Sequence, residues 1–328
     1  MIDVERPSLS TWRKERVRLR RKVFANEPNW AAYPDFIEKK ILDQKKNPFW
    51  REHRLIPFLA KRAGEPLCTA ALIMPGDGDG GGCWFGFFDA AFDLEAVSAV
   101  MRSLEGTAHA LGVKRILGPA NPTLYYEPGV QVEGFRCSSA PGLALSPPYY
   151  AELFDTIGYA AAKDLIGLII PTHSDCPPVL RYAMRIAERK GITLSPFDLK
   201  NRRGMIDTMA RFHAVTFERN WGEPELSRDD VAFLWSMFHD LVDKSLFLQA
   251  RDNEGELVGL ALAIPNHTAM FRKLKRSRTP VGNILALTSY GQVDSVRLAI
   301  FGIHPEHRFD AAAGALLGSG PIDVSVAI

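Results

Sequence analysis

Residues 295–303, SVRLAIFGI, constrain this chain more than any other stretch. Val296, Leu298 and Ile300 alternate with Ala299, Phe301 and Ile303, so an extended strand here would be apolar on both faces. A strand of that kind belongs inside a sheet, covered above and below. Gly302 near its end predicts a bulge or the close approach of another backbone. Pro305 breaks the pairing, and the Ala- and Leu-rich residues 310–317 favour a helix. Strand, sharp turn and helix start expose backbone N–H groups suited to an anion.

Ahead of that strand the chain runs through one order of elements twice. In the first pass, residues 11–22 and 34–44 read as helices, followed by strands at 56–61, 67–74 and 83–88. The Gly-rich loop at 76–82 is not closed by Lys-Ser/Thr, so it reads as a hairpin loop and not a phosphate loop. A helix at 94–111 ends at Gly112, a strand at 115–118 ends in Gly-Pro-Ala-Asn-Pro, and a helix at 149–157 precedes a last strand at 164–170. The second pass follows a linker and helix at 171–191. It comprises a strand at 192–199, helices at 205–220 and 227–243, and a hairpin at 246–251 and 257–264. A basic insertion (Arg272, Lys273, Lys275, Arg276, Arg278) then leads to the opening strand. The expected domains are therefore 1–170 and 192–328, a duplicated unit with a period too long for a solenoid.

Composition narrows the partners. The 40 Lys and Arg against 38 Asp and Glu leave a formal charge of +2, which argues against a nucleic-acid partner held by bulk charge. The helix at 11–22 is strongly basic with a thin apolar edge of Val17, Val23 and Phe24, and it reads as a solvated face, with RNA or acidic-substrate contact as the alternative. No apolar run approaches a bilayer span and the first ten residues lack a signal core, so no membrane partner is expected. Cys68, Cys83, Cys137 and Cys176 form no C-x-x-C pair, which is the pattern of reduced thiols in a cytoplasmic protein.

Ile303-His304-Pro305-Glu306-His307-Arg308 resembles the cofactor-binding turn of the GCN5-related N-acetyltransferases (GNAT), which continues as Arg/Gln-x-x-Gly-x-Gly/Ala. Here the continuation reads Phe309-Asp310-Ala311-Ala312-Ala313. Ala313 fits the last motif position, Ala311 replaces a glycine, and Asp310 adds a negative charge near the expected diphosphate. Leu153-Phe154-Asp155-Thr156-Ile157-Gly158-Tyr159 resembles the family's Leu-Tyr-x-x-x-Gly-Phe with Phe154 in place of the tyrosine. Glu-Pro-Asn-Trp at 27–30, Lys-Lys-Asn-Pro-Phe at 45–49, Gly-Pro-Ala-Asn-Pro at 118–122, Glu-Gly-Phe at 133–135, Pro-Pro-Tyr-Tyr at 147–150 and Asn-Trp-Gly at 220–222 resemble a bacterial group with two such lobes in tandem.

The resemblance implies an α/β protein with mixed α+β sheets: two tandem acyl-CoA N-acyltransferase (GNAT)-like lobes, the second lacking its last strands. It implies acetyl-CoA or another acyl-CoA as co-substrate and no metal. The backbone at Ile303 and His304, the Arg308 side chain, and Ala311 and Ala313 would bind the co-substrate. Glu223 and Asp294 are the candidate bases. Tyr150 is the candidate acid, with Tyr149 and Tyr290 as further donors. Asn121, Tyr149, Asn220 and Trp221 would meet the acceptor, a small-molecule or peptide amine. His304-Pro305-Glu306-His307 spans a proline turn and lacks the helical geometry of a zinc pair. His213, His239 and His267 carry no pattern.

After residue 317 only GSGPIDVSVAI remains, enough for one short strand. A naturally shortened form or a chain cut or frame-shifted near Arg308 would explain this, the abrupt change of character favouring the second. Either implies an unpaired sheet edge able to form a homodimer, and weak or absent acetyl-CoA binding. The reading competes with a catalytically inactive GNAT-like binding protein and with an aminoacyl-tRNA-dependent transferase.

Overall fold

The computed structural model describes residues 1–27, 30, 35–76, 83–137, 140, 142–170, 177–222, 225–239, 242–268, 270, 293, 295–308 and 325–327. The chain divides into two compact units, Met1–Leu165 and Ile166–Ile328.

The first unit runs β1 (Asp3–Glu5), α1 (Leu9–Val23), α2 (Asp35–Ile41), a 3-10 turn (Pro48–Arg51), β2 (His53–Arg62), β3 (Glu65–Pro75), β4 (Cys83–Ala90), α3 (Leu94–Ala110), β5 (Ile116–Leu117) and α4 (Tyr149–Thr156). Its sheet has the order β1-β2-β3-β4-β5, with β4 and β5 parallel and the other pairs antiparallel. One face carries Phe58, Leu72 and Phe85 against Val97, Val100, Met101 and Leu104 of α3 and Leu153 and Phe154 of α4. The other carries Leu59, Ile73 and Phe87 against Trp12 of α1. Trp12 could be buried there because its indole N–H donates to the Phe58 carbonyl at 3.1 Å. Asp93 caps α3 by accepting from Ala96 N, and Gly112, at φ +80°, turns the chain away from its end.

Helix α1 departs from the expected solvated face. It buries Arg16 together with Trp12 and Leu19, because acidic groups wait beneath it on β4 and α2.

The second unit runs β6 (Ile169–Ile170), α5 (Pro178–Arg189), β7 (Thr193–Pro196), α6 (Arg202–Phe217), α7 (Arg228–Phe238), β8 (Phe247–Arg251), β9 (Leu257–Pro265), β10 (Ser295–Ile303), a 3-10 turn (Pro305–His307) and β11 (Ser325–Ala327). The sheet order is β6-β11-β10-β9-β8-β7, with β10 and β11 parallel. The opening strand of the sequence is thus internal, as its two apolar faces require. Ser227 and Asp230 cap α7 reciprocally, the expected capping box.

Element for element, β7, α6, α7, β8, β9, β10 and β11 repeat β1, α1, α2, β2, β3, β4 and β5 in the same sheet order. The duplication extends to detail. An extra residue interrupts β4 between Gly86 and Asp89 against β3, and Ala299 interrupts β10 between Leu298 and Ile300 against β9.

One expectation is corrected. The strand foreseen at 164–170 for the first lobe shrinks to Ile169–Ile170 and pairs with β11 in the second sheet, while Leu165, Ile166 and Leu168 stay exposed. Ile169–Ile170 accordingly belong to the second unit. The one short strand allowed for after residue 317 is present as β11, parallel to β10 over Ser295–Arg297, and the sheet's edges belong to β6 and β7. The loop at 77–82, the basic insertion at 272–278 and the helix at 310–317 lie outside the described residues.

Candidate functional site

The chemistry-bearing residues gather at one topological place in each unit, the C-terminal half of the bulged strand. In the second unit this is the end of β10. His304 N donates to the Val258 carbonyl at 2.9 Å, so the ladder persists one residue past Ile303 before Pro305 turns the chain. Helix α6 packs tightly over this end. A Cβ on Gly302 would stand 2.9 Å from Thr216 Cγ2 and 3.0 Å from Phe212 Cε1 and Phe217 Cζ. Here the glycine is required by close approach and not by its dihedral angles.

Arg308 donates from Nη2 to the Thr216 carbonyl at 2.8 Å, near the C-terminal end of α6 where free carbonyls favour a cation. The residue is otherwise exposed, and among the described residues most of its fork of donors is left for an anion. Two buried polar atoms beside it, Thr216 Oγ1 and His304 Nδ1, have no hydrogen-bond partner among the described residues. Strand alternation puts the His304 side chain on the same side of β10 as Gly302, the side that faces α6. His213, one turn before Thr216, packs on Phe217 with ring centroids 5.0 Å apart. Burial pulls its pKa below the ordinary imidazole value. Past Arg297, β10 has no parallel partner among the described residues, and the bulge at Ala299 follows immediately.

Asn220 and Trp221 follow the end of α6, with Asn220 N donating to the Phe217 carbonyl at 2.9 Å. Ile303, His304 and Arg308 therefore lie where β10 meets α6, and Asn220 and Trp221 follow the end of that helix. Glu223, Asp294, Tyr290, Ala311 and Ala313 lie outside the described residues. Sequence reasoning missed Thr216 and set His213 aside. Their i, i+3 spacing on the helix just before Asn-Trp-Gly was the available signal.

In the first unit, Asn121, Tyr149 and Tyr150 meet the end of β4. The Tyr150 hydroxyl accepts from Ala90 N at 2.8 Å, and the Tyr149 hydroxyl donates to the Ala90 carbonyl at 2.8 Å. Burial, with Asp89 nearby, pushes the Tyr149 phenol up to about 12 and Tyr150 well above its usual value. Both are neutral phenols bound to backbone. Phe87 at the bulge has φ +52°, a strained conformation for a bulky residue. Asn121 Oδ1 accepts from Phe87 N at 2.5 Å, and Arg16 Nε donates to the Phe87 carbonyl at 3.3 Å.

Behind them lies a buried ionic network. Arg16 pairs with Asp89 at 2.8 Å and Glu38 at 2.9 Å, and Arg20 reaches Asp89 at 3.6 Å and Glu127 at 3.1 Å. Asn121 Nδ2 donates to the same Glu127 oxygen at 3.1 Å. Burial drives the Asp89 carboxyl upward against the pull of Arg16 and Arg20. Burial opposes the charge of Arg20 as well, but Glu127, Asp89 and Glu38 outweigh it and raise its pKa. Arg16 and Arg20 are thus engaged inside the protein, which weakens the case for RNA contact along α1. Among the described residues no group of three His, Cys, Asp or Glu is placed to hold a metal ion, and no helix is long and apolar enough to cross a membrane.

No protein-family model matches the chain. It is 24% identical over 299 residues to a bacterial ceramide synthase of Caulobacter vibrioides, covering 88% of this chain and 77% of the relative. A GCN5-related glucosamine N-acetyltransferase region of a fungal multi-domain β-N-acetylglucosaminidase superposes with a TM-score of 0.55 at 12% identity, over 100% of this chain and 35% of that one. A tandem GNAT protein from the clavulanic acid biosynthesis pathway gives 0.52 at 11% identity, over 100% of this chain and 90% of its own.

Proposed function

We propose that this chain, which has two GNAT-like lobes in tandem, transfers an acyl group from an acyl-CoA thioester to an amine. The second lobe would do the work. The likeness to a bacterial ceramide synthase supports a long-chain amino lipid as acceptor, in preference to a peptide or a sugar amine. A ceramide is the amide of a fatty acid with a long-chain amino alcohol, so the same bond would be made.

The observation that carries this reading is the stretch of β10 past Arg297. From Leu298 to Ile303 the strand has a bulge, no parallel partner among the described residues, and Arg308 pinned at its end. An extended pantetheine arm would align there through backbone hydrogen bonds, as a peptide adds to a sheet edge. Backbone N–H groups at the bulge would polarise the thioester carbonyl, and Arg308 would meet the diphosphate. The amine nitrogen then attacks that carbonyl carbon, the C–S bond breaks, and the thiolate leaves with a proton given up by the nitrogen. His213, kept uncharged near neutral pH by burial, and His304 are the described groups able to relay that proton. Glu223 and Asp294 remain carboxylate candidates for the same task.

Thiol release from acyl-CoA, measured across acyl chain lengths and an amine panel, tests this. Release with a long-chain amino alcohol, and not with peptide or aminoglycoside amines, is expected. Failure of every pair, together with no acyl-CoA binding by calorimetry, would overturn it.

A further inference from the structure

In the first lobe, hydrogen bonding does not stop where β5 ends. Cys83 and Trp84 of β4 pair with Ile116 and Leu117. Ala120 N then donates to the Phe85 carbonyl at 2.9 Å, and Asn121 Oδ1 accepts from Phe87 N at the bulge. Beside β10 the parallel pairing stops at Arg297 among the described residues, whereas beside β4 residues 118–121 carry it on. Packing leaves no slack. A Cβ on Gly86 would overlap the Ala120 carbonyl oxygen, and one on Gly118 would overlap the Phe85 carbonyl and ring. Pro119 is anchored by accepting from Gly129 N at 2.8 Å.

We infer that the first lobe is self-liganded: the Asn121 carboxamide occupies the position a thioester carbonyl would take, and each chain binds one acyl donor, in its second lobe. The inference rests on the acyl-transfer reading above for the identity of the displaced ligand. A carboxamide oxygen and a thioester oxygen make the same demand on a backbone donor, a carbonyl lone pair aimed at N–H. Asn121 is held to that task from its other end. Its Nδ2 donates to Glu127, and Glu127 is fixed by Arg20, which with Arg16 also holds Asp89. Tyr149 and Tyr150 clamp the strand three residues beyond Phe87. One chain of contacts thus runs from α1 through Glu127 to the bulge. It accounts for the buried charges and for the Gly-Pro-Ala-Asn-Pro phrase without assigning them chemistry.

Two measurements on the full chain test this. Calorimetry with a long-chain acyl-CoA should give one equivalent bound per chain, weakened by Arg308→Ala; two equivalents would overturn the inference. Amide hydrogen exchange reads the plug without any ligand. Phe87 N–H should exchange slowly in the free protein and about tenfold faster in Asn121→Ala, and it should remain slow in Arg308→Ala, which leaves the first lobe untouched. Fast exchange in the unmodified chain, or protection gained only on adding acyl-CoA, would overturn it. If no acyl-CoA binds at all, the acyl-transfer reading falls, while the exchange result still decides whether the first lobe is plugged.

Discussion

Arg16 and Asp89 face each other at 2.8 Å across α1 and β4, with side chains only 2% and 3% exposed. Neither charge could remain in that position alone, since unpaired burial costs far more than a hydrogen bond returns. Asp89→Ala is expected to destabilise the protein by about 3 kcal/mol in urea denaturation, somewhat less than full loss because Glu38 still reaches Arg16. Arg16→Met with Asp89→Leu should recover much of that. A single-variant loss below about 1 kcal/mol would mean that the pair is not buried as described.

Two glycines should respond in opposite directions to the same added methyl group. Gly302→Ala forces α6 away from β10 and should cost about 1–3 kcal/mol, with a raised KM for acyl-CoA. Gly106→Ala, with open space around it inside α3, should gain about 0.5–1 kcal/mol. Thermal unfolding of both variants checks the pair, and equal shifts would contradict the packing.

Arg308→Ala should weaken acyl-CoA binding about tenfold, and Arg308→Lys should restore only part of it, because a lysine cannot fork across a diphosphate. Titration calorimetry reads both. An unchanged dissociation constant in Arg308→Ala would remove Arg308 from the binding site.

His213 and His267 set a pH dependence of defined sign. Burial lowers the folded-state pKa of each below the ordinary 6.5. The unfolded chain therefore takes up these protons first as pH falls. Their contribution to stability is present above the ordinary imidazole range and is lost as pH drops through it. Denaturation midpoints should decline from pH 7.5 towards 5.5, and His213→Gln should flatten that slope. Asp89 acts in the opposite sense at lower pH, since its raised pKa lets the folded state bind the proton first. A steeper slope in His213→Gln would contradict burial of the ring.

Ser227→Ala removes a reciprocal cap in which Ser227 Oγ accepts from Asp230 N and Asp230 Oδ2 accepts from Ser227 N at 3.0 Å. A loss of about 1 kcal/mol is expected in urea denaturation, and no change would mean that α7 starts elsewhere.

Much of this architecture was readable from local pattern. Alternating apolar residues marked β3, β4, β9 and β10, and Gly112 and Ser227 marked helix ends, because these signals act within a few residues. The doubled order of elements followed from them. What could not be read was long-range. Nothing near residue 16 says that an arginine in a run of solvated charges will meet Asp89, some seventy residues on. Nothing near residue 169 tells which sheet Ile169–Ile170 will join, since any open edge offers the same backbone groups. Asn121 stood out as a contact for the acceptor, but whether its amide would face a substrate or its own strand depended on where Gly86 lets the 118–121 loop settle. Thr216 had only its spacing from His213 to mark it, because its place in the site is defined by what Gly302 allows to lie above it.

The pairing of Ile169–Ile170 with β11 has a practical consequence for anyone wishing to separate the halves. A fragment begun at the first residue of β7 would look complete by element order, yet would discard the outermost strand of its own sheet and bare the three residues of β11. Such a piece should self-associate, whereas one begun just before Ile166 would carry its own border with it.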